Sequence, residues 1–101
     1  MLNIIITAGG TSEKIDSVRK ITNNSSGKLG SIIADTFLNK NDNNIEKIYY
    51  ICPKNAIKPQ ILDNSDKIEL KIIESTDDVY TCLQTLLKEK NIDIVVHSMA
   101  I

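Results

Sequence analysis

Aromatic residues are scarce in this sequence of 101 residues, which has one phenylalanine, three tyrosines and no tryptophan. The apolar fraction of 42% is therefore almost entirely aliphatic, which favours an α/β core over an aromatic-rich β-sandwich. Cysteine is scarce as well: only Cys52 and Cys82 are present, and their spacing fits neither a disulfide framework nor a metal site. We predict that both are reduced and lie on or near the core.

A surplus of charge of either sign is also missing, since 12 basic and 13 acidic residues are interspersed and give a net charge of −1. Nucleic-acid binding, for which a basic stripe is expected, has no electrostatic support. The N-terminal segment MLNIIITAGG has no basic n-region and only a short apolar run, so it predicts neither a signal peptide nor a membrane span. We expect a cytoplasmic protein of at most one domain, without nucleic-acid or membrane partners.

Strands and helices alternate along the chain. The aliphatic run from Leu2 to Thr7, broken by Ala8-Gly9-Gly10, predicts a first strand that is buried on both faces of a parallel sheet. A helix is predicted from Ser26 to about Lys40, with a second strand at Ile45 to Cys52. The apolar face expected for that helix consists of Leu29, Ile32, Ile33 and Phe37. The segment from Pro53 to Lys67 has no sustained period and is interpreted as a long loop.

The second half repeats this order. Ile68, Leu70 and Ile72 alternate with Glu69 and Lys71, which predicts a strand exposed on one face at a sheet edge. Ser75 and Asp78 have the spacing of a capping box and predict a second helix. The apolar face expected for it consists of Val79, Cys82, Leu83, Leu86 and Leu87. Ile92 to Val96 is the fourth strand. These elements predict a Rossmann-like three-layer α/β sandwich with parallel strand order 3-2-1-4. The sandwich is expected to be incomplete within these residues.

Ligands of such sheets bind beyond the carboxyl ends of the strands, at the switch point between the first and fourth strands. The segments that emerge there run from Ala8 to Ser25 and from His97 to Ile101. A dinucleotide fingerprint is absent because Thr11 stands where its second glycine should be, and a Walker A loop is absent because Thr22 and Leu29 replace required residues.

The helix entry from Asn24 to Gly30 remains as a candidate phosphate site. Glycines allow backbone amides to approach a phosphate, Ser25 and Ser26 add hydroxyl donors, Lys28 adds a positive charge, and the helix N-terminus adds positive potential. An ordinary serine N-cap with glycines placed for packing explains the same residues equally well.

The stretch from Thr7 to Gly30 carries a long, ordered set of motifs. They are Thr7-Ala8-Gly9-Gly10-Thr11, Glu13, Ile15-Asp16, Val18-Arg19, Ile21-Thr22-Asn23 and Ser25-Ser26-Gly27-Lys28-Leu29-Gly30. This set closely resembles the start of the phosphopantothenate-cysteine ligases of coenzyme A biosynthesis, also labelled DNA/pantothenate metabolism flavoproteins. Val96 to Ala100 resembles a later segment of the same family. The resemblance implies that residues 1–101 are the nucleotide-binding N-terminal portion of a ligase domain.

In that family CTP or ATP activates the carboxylate of 4′-phosphopantothenate as an acyl-nucleotide, and the amine of cysteine then displaces the nucleotide. The resemblance implies that Asn23 contacts and stabilises this intermediate, a role that suits its amide. It also implies that Gly10, Ser25, Gly27 and Gly30 contact the nucleotide and that Ala100 lines it. CTP or ATP is expected as a substrate, with Mg²⁺, and no residue is expected to be a protein ligand of a metal.

Several further expectations follow from the resemblance. The family continues after the fourth strand with an acidic residue and a lysine-containing loop, so these residues alone are expected to have little or no ligase activity. With Met1 directly before the first strand, the flavin-dependent decarboxylase that is fused to many members of the family is not expected here. A bound flavin is not expected either. The full-length enzyme is expected to be a homodimer.

Two alternatives remain open at this stage, an NAD(P)-dependent oxidoreductase fragment and a non-catalytic nucleotide-binding module. Cys52-Pro53-Lys54 lacks the acidic residue that an NAD site ordinarily places after its second strand. His97, the single histidine, fits either a packing and hydrogen-bonding role or a catalytic one.

Overall fold

A computed structural model describes residues 2–14, 20–22, 25–39, 44–60 and 66–100. Its elements follow the predicted alternation, with two short strands added. In chain order they are β1 (Leu2–Thr7), β2 (Ser12–Lys14), β3 (Lys20–Thr22), α1 (Lys28–Asn39), β4 (Ile45–Pro53), β5 (Ile68–Ile73), α2 (Thr76–Glu89) and β6 (Ile94–His97).

Four parallel strands form the central sheet in the order β5-β4-β1-β6. This is the predicted order 3-2-1-4, and the α/β fold class is confirmed. β1 lies inside the sheet, which explains its aliphatic run: Ile4 and Ile6 pack on the α1 side while Ile5 packs on the α2 side. A strand buried on both faces needs apolar side chains at every position.

Two apolar clusters form the core, one on each face of the sheet. The α1 side contains Ala34 of the helix and Ile48, Tyr50 and Cys52 of β4. The α2 side contains Val79 and Leu86 of the helix and Tyr49 and Ile51 of β4. Both cysteines are free, Cys52 buried and Cys82 half-buried, and burial raises the pKa of both thiols. The predicted state of the cysteines is therefore confirmed.

The predicted buried face of α1 is partly wrong. Leu29 is 63% exposed and Ile32 is 50% exposed, although both were expected to face the core. The residues of α1 that contact the sheet most closely are small: Gly30, Ser31 and Ala34 are buried. Ile33 and Phe37 pack beside them, as expected. The helix thus lies rotated from the position that its large apolar side chains suggest.

Two short strands that were not predicted follow β1. β2 and β3 form an antiparallel pair with Ser12 opposite Thr22 and Lys14 opposite Lys20. This pair is held against the start of α2, because the Ser12 N–H donates to the Glu74 carbonyl at 2.8 Å and the Thr76 N–H donates to the Glu13 carboxylate at 2.6 Å.

The edge position predicted for the third strand is confirmed, since β5 ends the strand order. The predicted alternation of buried and exposed side chains fails at the end of β5, because Ile73 is buried while Ile72 is 49% exposed. Leu87 of α2, expected on the buried face, is exposed too. In the part of the chain that the structure describes, no helix is long and apolar enough to cross a membrane.

Candidate functional site

The predicted phosphate loop leads directly into the N-terminus of α1. Gly27 adopts a φ of +83°, a left-handed conformation that is strained for residues other than glycine. Its carbonyl accepts the Ser31 N–H at 3.1 Å. Ser25, Ser26 and Lys28 are exposed around it. The Lys28 N–H also lies 3.3 Å from the Ser26 hydroxyl oxygen. The hydroxyls and the ammonium group therefore stand where a ligand at the helix N-terminus can reach them.

The first turn of α1 rests on the carboxyl end of β1. A Cβ placed on Gly30 would stand only 2.4 Å from the Cβ of Ala8, and one placed on Gly27 would stand 3.5 Å from the backbone nitrogen of Gly9. Gly30 therefore allows the first turn of α1 to lie against Ala8, whereas a Cβ on Gly27 would lie in ordinary van der Waals contact with Gly9. The positive end of the helix therefore faces the edge where parallel sheets bind ligands.

The two segments predicted to meet at the switch point do meet. Gly10 and Ala100 form a parallel bridge beyond β1 and β6. The Ala100 N–H donates to the Gly9 carbonyl at 2.9 Å, and the Thr11 N–H donates to the Ala100 carbonyl at 3.1 Å. The structure thus brings Gly10, Gly27, Gly30 and Ala100 to one region, although their contact with a nucleotide remains a prediction.

The segment after β4 packs against the loop that leads into α1, a contact that was not predicted from the sequence. The Ile57 N–H donates to the Ser26 carbonyl at 2.8 Å, and the Cβ of Ala56 lies 3.1 Å from the point where a Gly27 Cβ would stand. The Lys58 ammonium group closes this turn by donating to the carbonyls of Lys54 and Ala56. The length of the loop from Pro53 to Lys67 was its one unusual feature in the sequence. The contacts themselves join residues that are distant in sequence, so no local pattern predicts them.

His97 has a hydrogen-bonding role in the structure. Its Nδ1 lies 2.7 Å from the hydroxyl oxygen of Thr7 across the paired ends of β1 and β6. The next residue, Ser98, bonds to the Thr7 carbonyl through both its N–H and its hydroxyl. These contacts tie the end of β6 to the end of β1 beside the site.

A cleft of about 730 Å³ opens beyond the carboxyl ends of β4 and β5. Its walls are Ser12, Pro53, Lys54, Asn55, Ile72, Ile73, Glu74 and Asp78. None of these residues was predicted as a site residue, although Ser12 lies in the segment predicted to reach the site and Asp78 was assigned to a helix cap. The cleft adds exposed polar groups and the half-exposed Ile72 to the ligand-binding edge.

Asn23, the predicted catalytic residue, lies outside the described residues. No group of three or more histidine, cysteine or carboxylate side chains that could hold a metal ion occurs within the described ranges.

The full chain, residues 1–101, matches the protein family described as DNA/pantothenate metabolism flavoprotein C-terminal domain. The coenzyme A biosynthesis bifunctional protein CoaBC of Thermococcus kodakarensis is 33% identical over 98 residues, which is 97% of this chain and 22% of that protein. CoaBC of Haemophilus influenzae is 55% identical over 42 residues, which is 42% of this chain and 10% of that protein.

Solved structures show the same likeness. The DNA/pantothenate metabolism flavoprotein from Streptococcus pneumoniae superposes with a TM-score of 0.83 at 36% identity, over 99% of this chain and 42% of that chain. The C-terminal domain of CoaBC superposes with a TM-score of 0.75 at 31% identity, over 95% of this chain and 43% of that chain. The chain therefore spans less than half of these solved relatives and about a fifth of the Thermococcus protein.

Proposed function

The chain belongs to the DNA/pantothenate metabolism flavoprotein C-terminal domain family, and on this basis we propose that it supplies the nucleotide-phosphate site of a phosphopantothenate-cysteine ligase in coenzyme A biosynthesis. The relatives named above are coenzyme A biosynthesis proteins, and they support this assignment.

The observation that carries the proposal is the close contact of the α1 N-terminus with the end of β1. A Cβ on Gly30 would stand 2.4 Å from the Cβ of Ala8 at the end of β1, and a Cβ on Gly27 would stand 3.1 Å from the Cβ of Ala56. Backbone amides of a helix N-terminus bind anions when the backbone can approach them closely. A loop built only to cap a helix does not need both of these close approaches.

In the proposed reaction the nucleoside triphosphate, CTP or ATP, activates the carboxylate of 4′-phosphopantothenate, and the amine of cysteine then forms the amide. The amides of the first turn of α1 would hold the phosphates, with Ser25, Ser26 and Lys28 donating from the exposed side. Asn23 is proposed to donate to the acyl-nucleotide. Holding the phosphates in place supplies positioning, which is the main contribution of proteins to this kind of transfer.

The described residues build no metal centre of their own. Mg²⁺ is commonly bound through substrate phosphates and one or two carboxylates, so we propose that it enters with the nucleotide. Flavin is not part of the proposal.

Thermal unfolding of the chain with CTP, ATP or NADH tests nucleotide binding. CTP or ATP at a hundredfold excess over its dissociation constant is expected to stabilise the fold by about 2.7 kcal/mol, and NADH is expected to have no effect. Lys28→Gln should weaken this stabilisation, whereas Lys88→Gln, an exposed lysine in the last turn of α2, should not. The proposal is wrong if neither CTP nor ATP shifts the transition, or if NADH shifts it as strongly.

A further inference from the structure

One polar atom in the core on the α1 side has no partner. The hydroxyl of Tyr50 is fully buried, and no hydrogen-bonding group of the described residues reaches it. A buried hydroxyl without a partner costs on the order of 1–3 kcal/mol, so its retention calls for an explanation. Phenylalanine would fill the same volume without that cost.

The position of this hydroxyl suggests an explanation. Tyr50 lies on β4, and its Oη stands 3.1 Å from the point where a Cβ on Gly30 would lie. The Ser98 hydroxyl oxygen stands 3.1 Å from the same point. The Tyr50 hydroxyl therefore lies beside the first turn of α1, the turn assigned above to the phosphates.

The chemistry of the group suits an anionic ligand. Burial, followed by the charges of Cys52 and Asp35, raises the pKa of Tyr50 well above its ordinary value. The hydroxyl therefore stays protonated and neutral at any physiological pH and can donate a hydrogen bond. A protonated hydroxyl can donate to a water molecule, which in turn donates to a charged acceptor.

We propose that Tyr50 is a positioning residue of the phosphate site, whose hydroxyl donates through one ordered water to the phosphate held at the α1 N-terminus. The inference rests on the proposed nucleotide site. Ser98 supplies a further polar group for that water, which needs two to four partners to be held in a protein interior. The water and the phosphate together give the Tyr50 hydroxyl the acceptor that no described residue supplies.

The test compares Tyr50→Phe with Tyr49→Phe in the full chain. Tyr49 is the adjacent tyrosine and is buried on the α2 side of the sheet, so it controls for loss of a tyrosine hydroxyl from β4. Dissociation constants are measured by calorimetry for CTP and for inorganic triphosphate, and thermal unfolding is followed without ligand.

Tyr50→Phe is expected to bind both ligands roughly fivefold more weakly, the equivalent of about 1 kcal/mol. Its stability without ligand is expected to be unchanged or raised, and Tyr49→Phe is expected to bind both ligands as the wild type does. Equal affinities of wild type and Tyr50→Phe would overturn the role of Tyr50 alone. A loss seen with CTP but not with triphosphate, or a loss matched by Tyr49→Phe, would overturn it as well. If the wild type binds neither ligand, the proposed nucleotide site fails, and the role of Tyr50 fails with it.

Discussion

Gly30 allows α1 to approach the sheet, and its replacement by alanine is the most direct test of that contact. Alanine in place of an interior helix glycine ordinarily stabilises a protein by about 0.5–1 kcal/mol. Here the added methyl would stand 2.4 Å from the Cβ of Ala8, so the helix must shift. We expect Gly30→Ala to destabilise the fold by about 1–3 kcal/mol in urea unfolding, which reverses the usual sign.

A double variant identifies the cause of that loss. Ala8→Gly removes the methyl that Gly30→Ala would meet, so the double variant Ala8→Gly/Gly30→Ala should recover part of the stability lost in the single variant. If the two substitutions instead add without interaction, the contact between Gly30 and Ala8 is not what makes alanine unfavourable.

At the scale of single residues, the motifs singled out positions that lie close together in the structure. Gly10, Gly27 and Ala100 were singled out from a motif set, and the structure brings them to the same edge of the sheet. Ala56 and Tyr50 were not singled out. Their importance comes from contacts across 20 or more residues of sequence, which no local spacing records.

The second helix offers a test at the scale of one element. Its capping box is complete: the Ser75 hydroxyl accepts the Asp78 N–H, and the Asp78 carboxylate accepts the N–H groups of Ser75 and Glu74 at 3.0 Å each. These backbone donors, that of Ser75 foremost, hold the pKa of Asp78 below its ordinary value. The capping box predicted from Ser75 and Asp78 is confirmed.

A lowered carboxyl pKa contributes stability above the pKa of the unfolded chain, and that contribution is lost as the pH falls through the folded value. Asp78→Asn keeps an acceptor oxygen but loses the charge, so it should be less stable than the wild type at pH 7. The difference should fade as the pH falls below about 4. Urea unfolding across pH measures it. Asp77→Asn, which removes a first-turn acid outside the capping box, should show a smaller change at pH 7.

The rotation of α1 shows why periodicity alone misplaced a helix face. Periodicity identifies large apolar residues, but a helix that closely approaches a sheet makes its central contact through small ones. Gly30, Ser31 and Ala34 form that contact in α1, while Ile33 and Phe37 pack on its flank. The sequence predicted the helix and its approximate ends, but not which side the sheet would take.

Paired substitutions on α1 check this rotation. Ile32→Lys should change the free energy of unfolding by less than about 1 kcal/mol, because Ile32 is half-exposed. Ala34→Leu should lower it by about 1–3 kcal/mol, because Ala34 is buried and leucine would overfill its contact with the sheet. If the face predicted from periodicity were the buried one, Ile32→Lys would be the more destabilising of the two variants. Urea unfolding of the two variants decides between the faces.

At the scale of the whole molecule, the two outer strands of the described sheet carry different side chains. β5 carries an ion pair between Glu69 and Lys71, with 2.8 Å between the charged atoms. β6 carries the exposed apolar residues Ile94 and Val95, and within the described ranges it pairs only with β1. Charged side chains on an edge strand oppose pairing with another chain, and apolar ones do not. A protein limited to residues 1–101 is therefore expected to self-associate first at β6.

Val95→Lys tests this asymmetry. Val95 is 47% exposed, so lysine can keep its ammonium group in water while its stem covers the same surface. We expect light scattering to show less concentration-dependent association for Val95→Lys than for the wild type, with little change in unfolding free energy. Ile72→Lys places the same charge on the 49% exposed residue of β5 and should leave association unchanged, because that edge already carries charges. If both variants reduce association equally, the added charge rather than the β6 edge is responsible; if neither does, β6 is not where copies of the chain meet.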